Sequence, residues 1–160
     1  MLRLEIIICG FLKGMKMADT ISQEKRSWNM SRIRSKDTAA EVKVRKYLFS
    51  QGFRYRKNVV ELPGKPDIVL PKYKTVIFVH GCFWHQHEGC RRATTPKTRQ
   101  EYWLPKFERN VMNDKNHAEK LAAAGWKVIV LWECEITSNF QEIMDKVIVD
   151  INENEEASLK

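Results

Sequence analysis

A chain of 160 residues, 43% hydrophobic and 30% charged, is long enough for one real core, and none of its apolar runs reaches the roughly 20 residues that cross a bilayer. Four cysteines are too sparse for a secreted disulfide framework, which points to a reducing, cytoplasmic setting. The net charge of +8 sits on the body: residues 1–16 carry +2 and residues 141–160 carry −4, leaving +10 on residues 17–140, a balance that suits a polyanion such as nucleic acid.

Residues 1–16, MLRLEIIICGFLKGMK, hold a short apolar run approached through Glu5 and followed by no clear small-residue cleavage site. They read as a dispensable or non-native extension rather than a targeting signal. Residues 17–160 read as one domain that opens on a basic arm, 17–36. Within the arm, residues 22–36 hold five basic groups, one acid and Trp28. Lys25, Arg26, Arg32 and Arg34 are its candidates for phosphate contact, with a solvated helix face as the plainer alternative.

DTAAE at 37–41 starts a helix, with Thr38 as cap and Glu41 three residues on, as a capping box requires. That helix stops at Gly52. FRYRKNVV (53–60) alternates like a strand, PDIVL (66–70) is a short strand opened by Pro66, and TVIFVH (75–80) is a third. A long helix runs from near Thr98 to Ala124, kinked or restarted at Pro105. WKVIVLWEC (126–134) is a buried strand. The last helix, about 138–152, carries Ile143, Met144, Val147, Ile148 and Ile151 on one stripe and leads an acidic C-terminal segment, 138–160. The order is helix, three strands, helix, strand, helix, and the class is α/β.

Between the third strand and the long helix lies HGCFWHQHEGC, dense in metal-liking groups. Cys82, His87 and Cys90 are separated by four and two residues, and Cys134 follows after 43 intervening residues at a strand end. Three cysteines and one histidine make a closed tetrahedral structural zinc site. His85 is the alternative histidine ligand, and buried free cysteines are the bland alternative, most of all for Cys134. Asp67 opens a hydrophobic strand whose neighbour ends at His80, so the two meet at one edge of the sheet. Asp114 falls in the stripe of Phe107, Val111, Ala118 and Leu121 and faces the sheet, where it needs a partner; His80 is the candidate.

LPGKPDIVL, VIFVHGCFWHQHEGC, TRQEYWLPKFERNVMNDK and GWKVIVLWEC closely resemble the very-short-patch repair (Vsr-type) DNA mismatch endonucleases, from about Met17 to Glu135. The resemblance implies a restriction-endonuclease-like fold, a central mixed sheet flanked by helices with a structural zinc. It also implies Mg2+-dependent nicking at the thymine of a T·G mismatch left by deamination of 5-methylcytosine. On the matching positions, Asp67 and the main-chain carbonyl of Val79 hold Mg2+, and His85 transfers a proton at the scissile phosphate. His80 and Asp114 form a supporting pair, and Glu41 reaches the metal's water shell, in competition with its capping role. Cys82, His87, Cys90 and Cys134 bind zinc. Phe83, Trp84 and Trp103 form a wedge that unstacks DNA beside the mismatch, with core packing as the alternative for each ring. HQHEGC has one residue more before Cys90 than the family pattern leads one to expect.

The partner so implied is double-stranded DNA with a T·G mismatch, met by a monomer, with other repair factors as further partners and no membrane. The rivals are a restriction-type nuclease with another DNA target and a non-catalytic, zinc-stapled DNA-binding module. A small-molecule zinc hydrolase is disfavoured, since four protein ligands leave no open position.

Overall fold

The computed structural model describes residues 36–158 and, before them, Ser22, Glu24, Lys25, Trp28, Ser31 and Arg32. The expectations for residues 1–16 and for Arg26 and Arg34 fall outside the described residues. The chain divides after residue 35 into two units. In the first, the guanidinium of Arg32 lies 3.9 Å over the ring of Trp28, which is 54% exposed.

The second unit is a mixed sheet with helices on both faces. Its elements are α1 (Ala39–Ser50), β1 (Ile68–Leu70), a 3-10 turn (Pro71–Tyr73), β2 (Thr75–His80), α2 (Gln100–Ala123), β3 (Lys127–Trp132), α3 (Glu133–Ser138) and α4 (Phe140–Ser158). The strand order is β1-β2-β3, with β1 antiparallel to β2 and β2 parallel to β3. A parallel pair needs a long crossover, and α2 supplies it.

Side chains alternate across the strands with period two, and the alternation sorts the core into two layers. Ile68, Leu70, Ile77 and Leu131 face one way, where they meet Val44 and Leu48 of α1, Ile136 of α3, and Met144, Val147 and Ile151 of α4. Val69 and Val76 face the other way, with Phe78 and Val128 beside them, and meet Leu121 of α2. The stripe expected on the last helix is the face that α4 buries. Among the described residues, no helix is long and apolar enough to cross a membrane.

Helix α1 begins as expected: Thr38 accepts from the Glu41 N–H, and the Glu41 side chain accepts from the Thr38 N–H. Four other expectations need correction. Residues 53–60 do not form a strand; only Arg56 bridges to Val69, with both backbone bonds at 2.8 Å. The chain then turns at Asn58 (φ +49) to tuck Val59 and Leu62 into the second core layer. β1 begins at Ile68, after Pro66, which has no N–H to give. Helix α2 starts after Arg99 rather than Thr98 and runs unbroken through Pro105, so the restart there is excluded. The last strand ends at Trp132, because the chain coils at once into α3, a helix with no counterpart in the expected order; Cys134 lies in its first turn.

One close approach holds the LPGKPD turn against α2. A Cβ on Gly64 (φ +75) would lie 2.9 Å from Nδ1 of His117. We expect Gly64→Ala to cost about 1–3 kcal/mol, from its left-handed backbone and this clash together. A urea titration of Gly64→Ala, His117→Ala and the double variant checks this. The double should recover the ring's share of the steric part and retain both the backbone part and the approach of the His117 Cβ, 3.0 Å away, so strictly additive losses would show that the ring contact does not matter.

Candidate functional site

The site grows from the end of the parallel pair. His80 is paired with Trp132. The residues two further along each chain, Cys82 and Cys134, therefore leave the sheet side by side. The loop after Cys82 folds back through backbone bonds from His87 N–H to Cys82 O (3.1 Å) and Cys90 N–H to His87 O (3.2 Å). Ligand atoms of Cys82, His87, Cys90 and Cys134 then all lie within 4.8 Å of one another. Nδ1 of His87 is 3.8 Å from the Cys82 sulfur and 3.2 Å from the Cys134 sulfur. A tetrahedral ion with Zn–S near ~2.3 Å and Zn–N near ~2.0 Å would set such edges at about 3.5–3.8 Å. The chemistry of the donors fits as well. Burial, with Cys82 and Cys90 as neighbours, pushes the Cys134 thiol up to about 12, whereas the backbone N–H of Arg92 favours the thiolate at Cys90. Three crowded thiols are a set that a soft cation, taking them as thiolates, would relieve. Of the two candidate histidines, His87 is the one that lies with the three cysteines, while His85 meets Asp114.

On the α2 side of the sheet lies a second group. Oδ2 of Asp67 accepts from the Val79 N–H at 2.8 Å, just beyond the last paired residue of β1. Burial raises this carboxyl to about 6; the Val79 bond, Arg45 and His85 oppose the rise, and Glu41 adds to it. Arg45 is buried in α1, bonded to Asp37 at 2.5 Å and 3.6 Å from Glu41. The Glu41 carboxylate closes the helix cap, and its charge is felt at Asp67.

The partner of Asp114 is His85, not His80: Asp114 Oδ2 meets His85 Nδ1 at 2.5 Å. With Nδ1–H donating to the carboxylate, Nε2 is the ring atom left for chemistry. His80 instead stacks on His85, with ring centres 3.9 Å apart and planes 8° apart. Burial first, then His85, lowers His80 to about 4, while Asp114 opposes the shift, so His80 is neutral at pH 7. His80, His85 and Asp114 also present ligand atoms within 4.8 Å of one another. Parallel stacked rings aim their in-plane lone pairs side by side rather than at one point, so this group is a poor metal site and a good acid–base pair.

Trp132 joins the two groups. Its ring stacks on His87 (4.1 Å, 3°) and meets His80 edge-on (5.4 Å, 74°). Beside it stands an aromatic cluster. Phe83 meets Trp84, Trp103 and Phe107 at 5.0, 5.6 and 5.2 Å, and the ammonium of Lys106 lies over Trp84, Tyr102 and Trp103. Phe107 is buried, while Phe83, Trp84 and Trp103 are half-buried and outside both core layers. Asn110 donates to the Trp84 carbonyl at 2.9 Å and Gln86 to that of Phe83 at 2.6 Å, so the loop is also tied by its backbone.

Residues 18–92 match the family described as DNA mismatch endonuclease Vsr. The chain is 46% identical over 139 residues to the type II nicking enzyme V.NmeAIP of Neisseria meningitidis serogroup A, a match covering 86% of this chain and 99% of that protein. This chain belongs to the Vsr family. Its likeness extends to the DNA mismatch endonuclease Vsr of Escherichia coli K12, at 39% over 134 residues (84% of this chain, 85% of that one). It also extends to the type II nicking enzyme V.XorIIP of Xanthomonas oryzae pv. oryzae, at 49% over 121 residues (76% and 88%). A Vsr-family protein is a DNA endonuclease, and the cluster built on Asp67, His80, His85 and Asp114 is where this one carries converging acid–base groups.

Sequence reasoning missed Arg45, Trp132 and Lys106 at this Vsr-type site. The Glu41–Arg45 spacing of four on one helix was a readable signal. Nothing local marks Trp132, whose neighbours come from another strand and a loop.

Two expectations follow from this geometry. Asp67 is near 3.8 unfolded and about 6 folded, so the fold favours its protonated form. Stability is unaffected below the unfolded value, declines as pH rises through the window to about 6, and carries the full penalty above it, on the order of 1–3 kcal/mol. Asp67→Asn should therefore stabilise the protein at pH 7 in Mg2+-free buffer and not at pH 4, as measured by thermal unfolding; a pH-independent difference would refute the assignment. Trp132→Leu should lower kcat by about 10–100-fold through misplacement of His80, with mismatch binding and metal content nearly unchanged, and Trp132→Phe should recover most of it. Metal loss in the leucine variant would place the role of Trp132 at His87 instead.

Proposed function

We propose that this chain nicks one strand of duplex DNA at the thymine of a T·G mismatch, of the kind left by deamination of 5-methylcytosine, and so starts very short patch repair. The observation that carries the reading is the junction of the aromatic cluster with the acid–base group. Trp84 adjoins His85 in sequence, and α2 holds both, Asn110 on the Trp84 carbonyl and Asp114, one turn on, on the His85 ring. The E. coli relative's name as a mismatch endonuclease and the others' names as nicking enzymes support it. The sheet, covered by α2 on one face and α1 and α4 on the other, fits a restriction-endonuclease-like fold.

In this reading Asp67 offers Oδ1, since Oδ2 is held by the Val79 N–H, and the Val79 carbonyl is the second protein ligand of a Mg2+ ion. When bound, that ion supplies charge neutralisation at the scissile phosphate and a more acidic water. His85 moves the proton at Nε2 while Asp114 fixes its tautomer, and neutral His80 backs the ring without adding a second charge. Glu41 and Arg45 set the charge around Asp67. Cys82, His87, Cys90 and Cys134 hold a structural zinc that fixes the loop. Phe83, Trp84 and Trp103 enter the duplex, where a mismatched step costs least to unstack. Lys25, Arg26, Arg32 and Arg34 of the arm contact phosphates.

The test is a panel of T·G and matched duplexes in varied flanking sequence, with Mg2+ and without. Wild type should nick only mismatched strands, and Asp67→Ala should lose more than about 100-fold in rate while retaining mismatch binding. Metal analysis should find one zinc per chain, lost in Cys134→Ser. Cleavage of matched duplex at equal rate would make the protein a nuclease with another target, and tight binding without any cleavage a non-catalytic module.

A further inference from the structure

The segment between Cys90 and α2, RRATTPKTR (91–99), carries four cations and no acid. Ion pairs elsewhere hold Arg45 to Asp37 and Glu41, Lys57 to Asp37, Lys115 to Glu119, Lys127 to Asp150 and Lys146 to Glu142; what sets this segment apart is four cations within nine residues and no acid among them. Among the described residues, Arg91, Arg92, Lys97 and Arg99 have no ion-pair partner, and all four are exposed.

Both ends of this segment are anchored at the site. At the first end, the N–H of Arg92 donates to the Cys90 sulfur at 3.4 Å and the N–H of Ala93 to the Cys90 carbonyl at 3.0 Å, which fixes Arg91 and Arg92 beside the metal-ligand cluster. At the other end, Arg99 takes a left-handed conformation (φ 54), its carbonyl accepts from the N–H groups of Tyr102 and Trp103, and its guanidinium lies 5.4 Å over the Tyr102 ring. Tyr102 packs against Trp103 of the aromatic cluster at 5.3 Å. The strap thus runs from the metal-ligand cluster to the rings.

Like charges held on a short anchored loop repel one another, and among the described residues no carboxylate of the folded protein offsets that repulsion. A line of phosphates removes that repulsion and releases counterions as it does so. We propose that the 91–99 strap is a phosphate clamp on the duplex flanking the point where the rings enter, gripping the backbone through Arg91, Arg92 and Lys97 without reading bases. The proposal rests on the reading of this site as one for duplex DNA. Arg99 grips less freely, because it also starts α2.

The experiment titrates wild type, the triple variant Arg91→Ala/Arg92→Ala/Lys97→Ala and the charge-keeping pair Arg91→Lys/Arg92→Lys against T·G and matched duplexes over a series of salt concentrations. The slope of log K against log salt should fall by about 2–3 in the triple variant, near 0.9 per lost phosphate contact. Both duplexes should lose affinity by the same factor, and the lysine pair should keep the wild-type slope. Metal content and thermal midpoint, expected unchanged since these side chains are exposed, show that the loop has stayed in place. An unchanged slope, or a loss confined to the T·G duplex, overturns the clamp. If wild type shows no preference for the mismatch but the triple variant still flattens the slope, the mismatch reading fails and the clamp stands.

Discussion

The parallel register of two strands decides this architecture. Because His80 lies beside Trp132 in neighbouring strands that point the same way, the chain leaves the sheet twice at one edge. Cys82 and Cys134 are each two residues beyond that pair and so arrive together although 52 positions separate them in the sequence. A slip of one residue in the pairing would turn the side chains of a whole strand to the other face. Cys134 would then miss the loop, and His80 would lose the α2 side. Burial on both faces makes such a slip expensive, since Ile77 and Leu131 serve one core layer and Val76 and Val128 the other.

Charge is arranged around that edge so that the ionisable groups lie beside partners, although Nη1 of buried Arg45 approaches Glu41 at 3.6 Å without a hydrogen bond. Asp67 is pushed towards protonation by burial, yet it is bonded to the Val79 N–H and lies within the field of Arg45. His80 is pushed the other way, towards neutrality, which allows it to lie flat against His85 without two like charges in contact. Asp114 supplies the carboxylate that His85 needs. The arrangement separates roles among similar groups: one carboxylate free to offer an oxygen, one committed to an imidazole, one committed to a helix cap.

The aromatic cluster is separate from both core layers and adds little that the sheet needs for its own folding. Its rings pack on each other, on Phe107 and around the Lys106 ammonium, and its backbone is tied to α2 by Asn110. Half-buried rings set between the clustered Cys82 and His87 and tied to a helix have little freedom to collapse inward. Rigidity in a loop with so few core contacts has to come from the ends, and here both the sheet edge and α2 provide it.

The sequence by itself determined most of what is local. The capping box at Thr38 and Glu41, the stripe on the last helix, strand 75–80 and the metal-liking set are written within a few residues of one another, where spacing and chemistry suffice. It also carried the family, because HGCFWH and its companion stretches are specific strings. Only the tertiary structure decided what depends on distant neighbours. FRYRKNVV alternates like a strand but has a single bridge, from Arg56 to Val69, before the chain turns away at Asn58. WKVIVLWEC reads as strand to its last residue, yet coils after Trp132 into α3, whose Ile136 is needed in the core with α4. Periodicity turned Asp114 towards the sheet, and His80 was its expected partner; the loop instead brings His85 Nδ1 to the carboxylate, with the His80 ring stacked on that of His85. The same holds for His87 and Trp132, since a helix or strand fixes where its own side chains point, and only packing fixes what they meet.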